Sequence, residues 1–397
     1  MSHDASSFAL AWALAYASCA LWAVIRSWRA GGASSPSRPS EAQSPASALR
    51  VLLLRPCAGL EPELDRTLAS TARARRAFAM DVRFAVESQR DAAAPSVDRA
   101  VDVLERAGVP ASAVMTHARA ANRKAAQLAR AHASAPRGEE LVVVADSDVD
   151  LEDAPLDALV GALSDDSIGA AWAAPIEIQP TTVADRASAA VLDASLHAFP
   201  LLSALDPSGM VGKLFVIRTD ALAKVGGFGA LTTHLGEDME LARRLREVGL
   251  KTTVAPLVAR SRAQGRAWGA VIERYARWIR VVRAQRPHLL PTYPLLLCAA
   301  PLIVTAALLA ALAGSAGSGP GALTAAGLTV VARVATGARA RALGGRTSGA
   351  RALVVDVVLA DALLLVAFAR ACLTRRTVWR GVHLLPEAGG RFTEEAR

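Results

Sequence analysis

A chain of 397 residues in which 52% are apolar and only 20% charged is too apolar for an ordinary soluble domain, and it points to membrane segments. Its net charge of +9 is accompanied by no basic patch interleaved with aromatics and by no nucleic-acid motif, so a nucleic-acid partner is not expected. The four cysteines (Cys19, Cys57, Cys298 and Cys372) are scattered without a C-x-x-C, which argues against a disulfide framework or a zinc site.

Residues 8–25 are an apolar run about long enough for a bilayer, which takes roughly 20 residues. No Arg or Lys precedes the run, whereas Arg26, Arg29 and Arg38 follow it. That order is the reverse of a cleaved signal peptide. It predicts an uncleaved transmembrane anchor over 1–28 with its C-terminal side in the cytoplasm. Residues 29–48, rich in Gly, Ser, Pro and Ala, read as a flexible linker.

A domain over 49–288 follows. Strands are expected at 49–54, 82–86, 141–145, 168–174, 209–217 and 251–255. Helices are expected at 61–77, 92–107, 118–133, 156–163, 184–205, 219–224, 236–246 and 268–286. This alternation implies a parallel, doubly wound α/β sheet. No G-x-G-x-x-G or G-K-[ST] loop follows any strand, so a dinucleotide or P-loop site is not expected.

From 289 to 397 the chain reads as a C-terminal membrane region with a short basic tail. Apolar segments lie at 289–312, 323–334 and 353–368, with a small-residue hairpin at 314–321. The Arg- and Gly-rich stretch 333–351 reads as cytoplasmic. Asp356 and Asp361 interrupt the last segment. Strict alternation puts the tail outside and its arginines put it inside, so the last crossing, or a re-entrant or interfacial helix in its place, stays open.

The stretch with the most chemistry is 141–150. Four apolar β-formers end in Asp146-Ser147-Asp148, a D-x-D at the edge of the sheet where ligands bind in α/β folds. Asp91 and the pair Glu237-Asp238 also fall at expected strand ends or helix starts. Oxygen ligands of this kind suit a hard divalent cation, and a positioned carboxylate suits a general base. Each has a plainer reading: Glu237 and Asp238 as helix-capping acids, Asp91 as a loop acid, His197 as a core histidine. Arg274, Arg277 and Trp278 read equally as an interfacial helix with snorkelling arginines or as a phosphate-binding set. Only four of the 45 basic residues are lysine (Lys124, Lys213, Lys224 and Lys251), which makes each lysine informative.

Three separated acids followed by Arg274-Tyr-Ala-Arg-Trp278 resemble the ceramide glucosyltransferases, a membrane branch of the family 2 and family 21 glycosyltransferases. The stretch Leu53-Leu-Arg-Pro-Cys-Ala-Gly-Leu-Glu-Pro62, the Asn122-Arg-Lys124 triplet, Ser195-Leu-His197 and the segment from Gly209 to Phe228, ending Gly-Gly-Phe, are similar to that family too. Glu87-Ser88 and Ala125-Ala126 depart from its pattern. The resemblance implies a GT-A (Rossmann-like) nucleotide-sugar transferase domain with N-terminal and C-terminal transmembrane helices, on the cytoplasmic face of a bacterial inner membrane. The enzyme would be an inverting hexosyltransferase moving glucose from UDP-glucose to the primary hydroxyl of ceramide. On this resemblance Asp238, with Glu237, serves catalysis. Asp91, Lys124, Asp146, Arg274, Arg277 and Trp278 bind the UDP-sugar donor. His197 and Trp278 bind the lipid acceptor. Asp146 and Asp148 hold Mg2+ or Mn2+. Transfer of a hexose or N-acetylglucosamine to a hopanoid, diacylglycerol or polyprenyl phosphate is the alternative enzyme reading, and a non-catalytic membrane scaffold is the non-enzyme one.

Overall fold

A computed structural model describes residues 2–32, 49–135, 138–313, 319–347, 349–374, 376–379 and 382–394. Most of the expected linker at 29–48 and most of the expected hairpin at 314–321 lie outside the described residues. The chain divides into two compact units. A helical unit gathers Met1–Ala33, Pro180–Asp206 and Ala263–Thr377, and a sheet unit gathers Ser34–Gln179, Pro207–Arg262 and Val378–Arg397. The division does not fall at a single cut near 288, because residues 180–206 and 263–288 group with the apolar helices.

In chain order the elements are α1 (Ser2–Gly32), β1 (Arg50–Pro56), α2 (Leu64–Ala69), β2 (Ala79–Val86), α3 (Ala94–Arg106), β3 (Ala111–Met115), α4 (Arg123–Ala133), β4 (Leu141–Ala145), β5 (Val149–Asp150), α5 (Leu156–Gly161) and β6 (Ile168–Ile178). Then come α6 (Val183–Asp193), α7 (Phe199–Leu205), β7 (Leu214–Arg218), α8 (Thr219–Lys224), α9 (Glu237–Glu247) and β8 (Lys251–Arg262). The rest are α10 (Trp268–Gln285), α11 (Ala299–Ala313), α12 (Gly319–Leu343), α13 (Ala350–Leu373), β9 (Thr377–Trp379), β10 (Val382–Pro386) and β11 (Phe392–Glu394).

In the sheet unit, eight strands run in the order β3-β2-β1-β4-β7-β6-β8-β5. The first four are parallel, and β6 is parallel to β8. The expectation of a wholly parallel sheet is corrected at β7, which runs antiparallel to both β4 and β6. The chain leaves the sheet after β6, runs through α6 and α7, and re-enters at the edge it left, so β7 has to run backwards. The central strands are covered on both faces: Leu53, Leu54, Val142, Val143, Val144 and Ala145 are fully buried, as their unbroken apolar runs require. The tail is not a loose extension. Phe392 is buried, and its N–H donates to Thr233 O at 2.8 Å.

In the helical unit, α1, α12 and α13 are each long and apolar enough to cross a membrane, and the bent pair Pro287–Leu297 and Ala299–Ala313 adds a fourth candidate span. Buried Ala9, Ala13, Tyr16, Ala20 and Ala23 mark one stripe of α1, and small residues at such spacing let helices approach closely. The single helix expected at 184–205 is broken. α6 ends at Asp193, and α7 begins one residue before Pro200, whose ring is suited to a helix start and hostile to a helix interior. Much of the stretch 333–351 is helical: α12 continues to Leu343 and buries Arg333 and Arg341. Asp356 and Asp361 lie buried within α13, and both acids are paired. Arg333 donates to Asp361 through Nε at 3.0 Å and Nη2 at 2.8 Å, and Asp356 pairs with Arg186 and Arg341.

Candidate active site

The sheet unit brings the D-x-D, α4 and α9 to one edge. β1, β2 and β4 all end there, and antiparallel β7 begins there. The register pairs Ala145 with Leu214, which sets Asp146 against Lys213, and the Asp146 N–H donates to Lys213 O at 2.9 Å. Beneath the turn lies Arg55, fully buried. Its Nη2 donates to Asp146 O (3.0 Å), Ser147 O (3.3 Å) and Val149 O (2.6 Å), and its Nη1 to Thr67 O (3.0 Å) and Thr71 Oγ1 (2.6 Å). Hydrogen bonds from a charged donor contribute about 1.5–3 kcal/mol each. One guanidinium therefore fixes the main chain from which Asp146 and Asp148 project.

Lys124 stands at the centre of the cluster. Its Nζ is 2.7 Å from Asp146 Oδ1 and 2.9 Å from Glu237 Oε1, and it donates to Gly212 O at 2.8 Å. Burial alone would depress this lysine, but the charges of Asp146 and Glu237 outweigh it and hold Lys124 above the usual lysine range. Lys124 lies in the first turn of α4, whose N-cap, Asn122, accepts from Ala125 N through Oδ1. The Asn122 Nδ2 donates to Glu237 Oε2 at 2.9 Å and to His234 O at 2.7 Å.

Asp238 Oδ2 accepts from Gly212 N at 2.9 Å, and its Oδ1 accepts from Met239 N at 2.8 Å. The helix-capping reading is thus partly realised, since Met239 N is a first-turn donor of α9. Glu237, by contrast, turns to Lys124 and Asn122. Burial, and then the neighbouring Glu237 charge, push the Asp238 carboxyl up to about 6, against the opposing pull of Lys124. Gly212 donates to Asp238 and accepts from Lys124. A Cβ there would lie 3.2 Å from Asp238 Cβ and 3.3 Å from Lys124 Nζ, so a side chain at this position would have to displace one of them slightly.

Asp148 Oδ2 accepts from Lys213 Nζ, which also lies 3.9 Å from Asp146 Oδ2. Asp150 pairs with Arg262 at 2.9 Å, so the third acid of the stretch faces away into a structural contact. Asp91 sits after β2, and its Oδ1 accepts from Gly59 N (2.8 Å) and Ala93 N (2.9 Å), joining the loops that follow β1 and β2.

Among the described residues no group of three His, Cys, Asp or Glu side chains could by itself enclose a metal. The donor set fits a divalent ion of the magnesium type nonetheless. Such ions take one or two carboxylates and complete their shell with substrate phosphates and water. Asp146 and Asp148 are the residues that would hold it.

The remaining expected site residues belong to the helical unit. His197 lies in the break between α6 and α7, buried, with its ring nearly parallel to Trp278 (centroids 6.2 Å apart, 14° between planes) and its Nε2 3.4 Å from Tyr293 Oη. Burial pushes His197 down to about 4, so it is neutral at physiological pH. The Arg274 guanidinium lies 5.1 Å from the centre of the Trp278 ring. Arg277 is on the same helix, α10. Two residues were not assigned from sequence: Arg55, which reads as the end of a strand, and Lys213, which a parallel β7 would carry to the opposite edge. The rarity of lysine was the one signal pointing to Lys213.

One edge of a mixed α/β sheet thus gathers a D-x-D, a two-acid helix start and two lysines. The chain belongs to glycosyl transferase family 21, whose model matches residues 6–392. No functionally curated protein matches it. Among solved structures it is similar to a mannosyltransferase from Pyrobaculum calidifontis in complex with GDP-Man and Mn2+ (20% identity over 93% of this chain and 99% of that one, TM-score 0.47). It is also similar to glucosyl-3-phosphoglycerate synthase from Mycobacterium tuberculosis in complex with Mn2+, UDP and glucosyl-3-phosphoglycerate (16% identity over 56% of this chain and 75% of that one, TM-score 0.35). Both likenesses are distant.

Proposed function

We propose that this family 21 enzyme is a membrane-bound, metal-dependent, inverting transferase that moves glucose from UDP-glucose to the primary hydroxyl of a ceramide-like lipid. The observation that carries the reading is the linkage of Asp238 to Lys124 through Gly212. It sets a carboxylate of raised pKa beside a partly buried cation that reaches the D-x-D.

In this reading the acceptor hydroxyl attacks the anomeric carbon from the face opposite the diphosphate. The bond from that carbon to the diphosphate oxygen breaks, and its electron pair leaves with the diphosphate. The hydroxyl proton passes to Asp238. A carboxylate near 6 is ionised at pH 7 yet more basic than an exposed aspartate, which is the compromise a general base needs. Glu237, held by Lys124 and Asn122, keeps negative charge beside Asp238 and so maintains its basicity. Mg2+ or Mn2+ held by Asp146 and Asp148 would neutralise the departing diphosphate. Asp91 is assigned to the uridine. Arg274 and Arg277 are assigned to the diphosphate, and His197 with Trp278 to the lipid acceptor. The candidate spans support a lipid acceptor, and the arginines after the first span support a cytoplasmic catalytic domain.

Lipid mass spectrometry of cells with and without the gene tests the proposal. A hexosyl-ceramide that appears only with the gene is the expected result. An aminosugar-hopanoid in its place overturns both the sugar and the acceptor. No new glycolipid, together with no UDP binding in the presence of Mn2+, turns the reading to a non-catalytic scaffold.

A further inference from the structure

Each carboxylate of the D-x-D already faces an ammonium group. Lys124 is held at three points, by Asp146, Glu237 and Gly212 O. The ion pairs of Lys213 are both with the turn itself, to Asp148 Oδ2 and, at 3.9 Å, to Asp146 Oδ2. A divalent ion would take the same two carboxylates, and an ammonium seated on one of them competes for it and repels the ion. Lys213 is a compact charge on a flexible four-carbon stem, unlike the planar fork of an arginine. It sits in a chain where arginine is otherwise the ordinary cation.

We propose that Lys213 is a resident counter-ion of the D-x-D, which a divalent metal displaces from Asp148 and which then pairs with the donor diphosphate. The proposal rests on the reading of Asp146 and Asp148 as the metal corner. Its side chain is only 15% exposed, so a displaced Lys213 is a poorly solvated charge until an anion meets it. Metal alone therefore binds against a penalty, and metal with nucleotide binds without it. The two ligands favour each other, and by linkage each raises the affinity of the other by the same factor. Lys213 is the origin of that coupling. A lysine that only stabilised the turn would act in the opposite sense, because its loss would loosen the carboxylates and weaken the metal.

The test is Mn2+ titration of the full-length protein in detergent, with and without UDP, for the wild type, Lys213→Met and the exposed control Lys251→Met. For Lys213→Met, Mn2+ alone should bind roughly 3- to 10-fold tighter, and the enhancement of Mn2+ affinity by UDP should fall by about the same factor. Lys251→Met should match the wild type. Unchanged or weaker Mn2+ binding in Lys213→Met, with thermal unfolding still cooperative, overturns the proposal. If Lys213→Met does not fold, Lys213→Gln is judged by the same criterion. Wild-type protein that binds no Mn2+ even with UDP removes the metal corner, and the proposal with it. Coupling that is present in the wild type and intact in Lys213→Met removes only the role of Lys213.

Discussion

Two sets of acids lie inside this protein, and they are matched to different cations. In the helical unit Asp361 is gripped by the Arg333 fork, Asp356 by Arg186 and Arg341, and Asp193 by Arg346. In the sheet unit Asp146, Asp148 and Glu237 face Lys124 and Lys213. With four lysines among 45 basic residues, two stand at one sheet edge beside three acids. A forked, always-charged arginine locks a carboxylate in an apolar helix bundle. A lysine leaves room for a third party, because its charge is a point on a movable stem.

The comparison is sharpened most by Asp238→Asn. It should lower kcat about 10²- to 10⁴-fold with the fold intact by circular dichroism. Near-normal turnover would remove the sheet-edge cluster from the chemistry. Next is Arg333→Met, which leaves Asp361 buried and unpaired. Unfolding in detergent should lose about 3–5 kcal/mol, and Arg333→Met/Asp361→Leu should recover most of it. A single variant as stable as the wild type would end the scaffold reading of the arginine pairs. Lys124→Arg should then cost roughly tenfold in kcat/KM, because a planar fork cannot take three contacts made by one ammonium. Equal activity would erase the distinction between the two cations.

The smallest effect is on pH dependence. The folded value for Asp238 is raised, so its active ionised form is lost as pH falls through about 6, and kcat/KM should drop close to tenfold per unit below that. The same shift means that ionised Asp238 costs stability as pH rises from the ordinary carboxylate value through about 6. The acidic limb should be missing from the residual rate of Asp238→Asn.

Much of this was legible because local signals agreed. The apolar run ending in Asp146 gave β4 and its edge. Gly236 ahead of Glu237 and Asp238 gave the start of α9. The long apolar segments gave the candidate spans. What failed depended on partners distant in sequence. No residue in 209–217 announces that β7 runs backwards, because direction is set by which edge the chain leaves and re-enters. Arg333 looked like the start of a cytoplasmic stretch, and Asp356 and Asp361 like interruptions of an apolar segment, because each charge is costly to bury alone and only the paired state is compatible with burial. Arg55 looked like a strand terminator. Its task is to satisfy carbonyls about 90 residues away, which no spacing rule reveals.

Gly212 ties the cation and the base to a single residue. One face of its backbone answers to Asp238 and the other to Lys124. A shift of Gly212 would therefore be felt at both groups at once. A Cβ at Gly212 would press on both groups, so any larger residue there has to push the cation or the carboxylate aside.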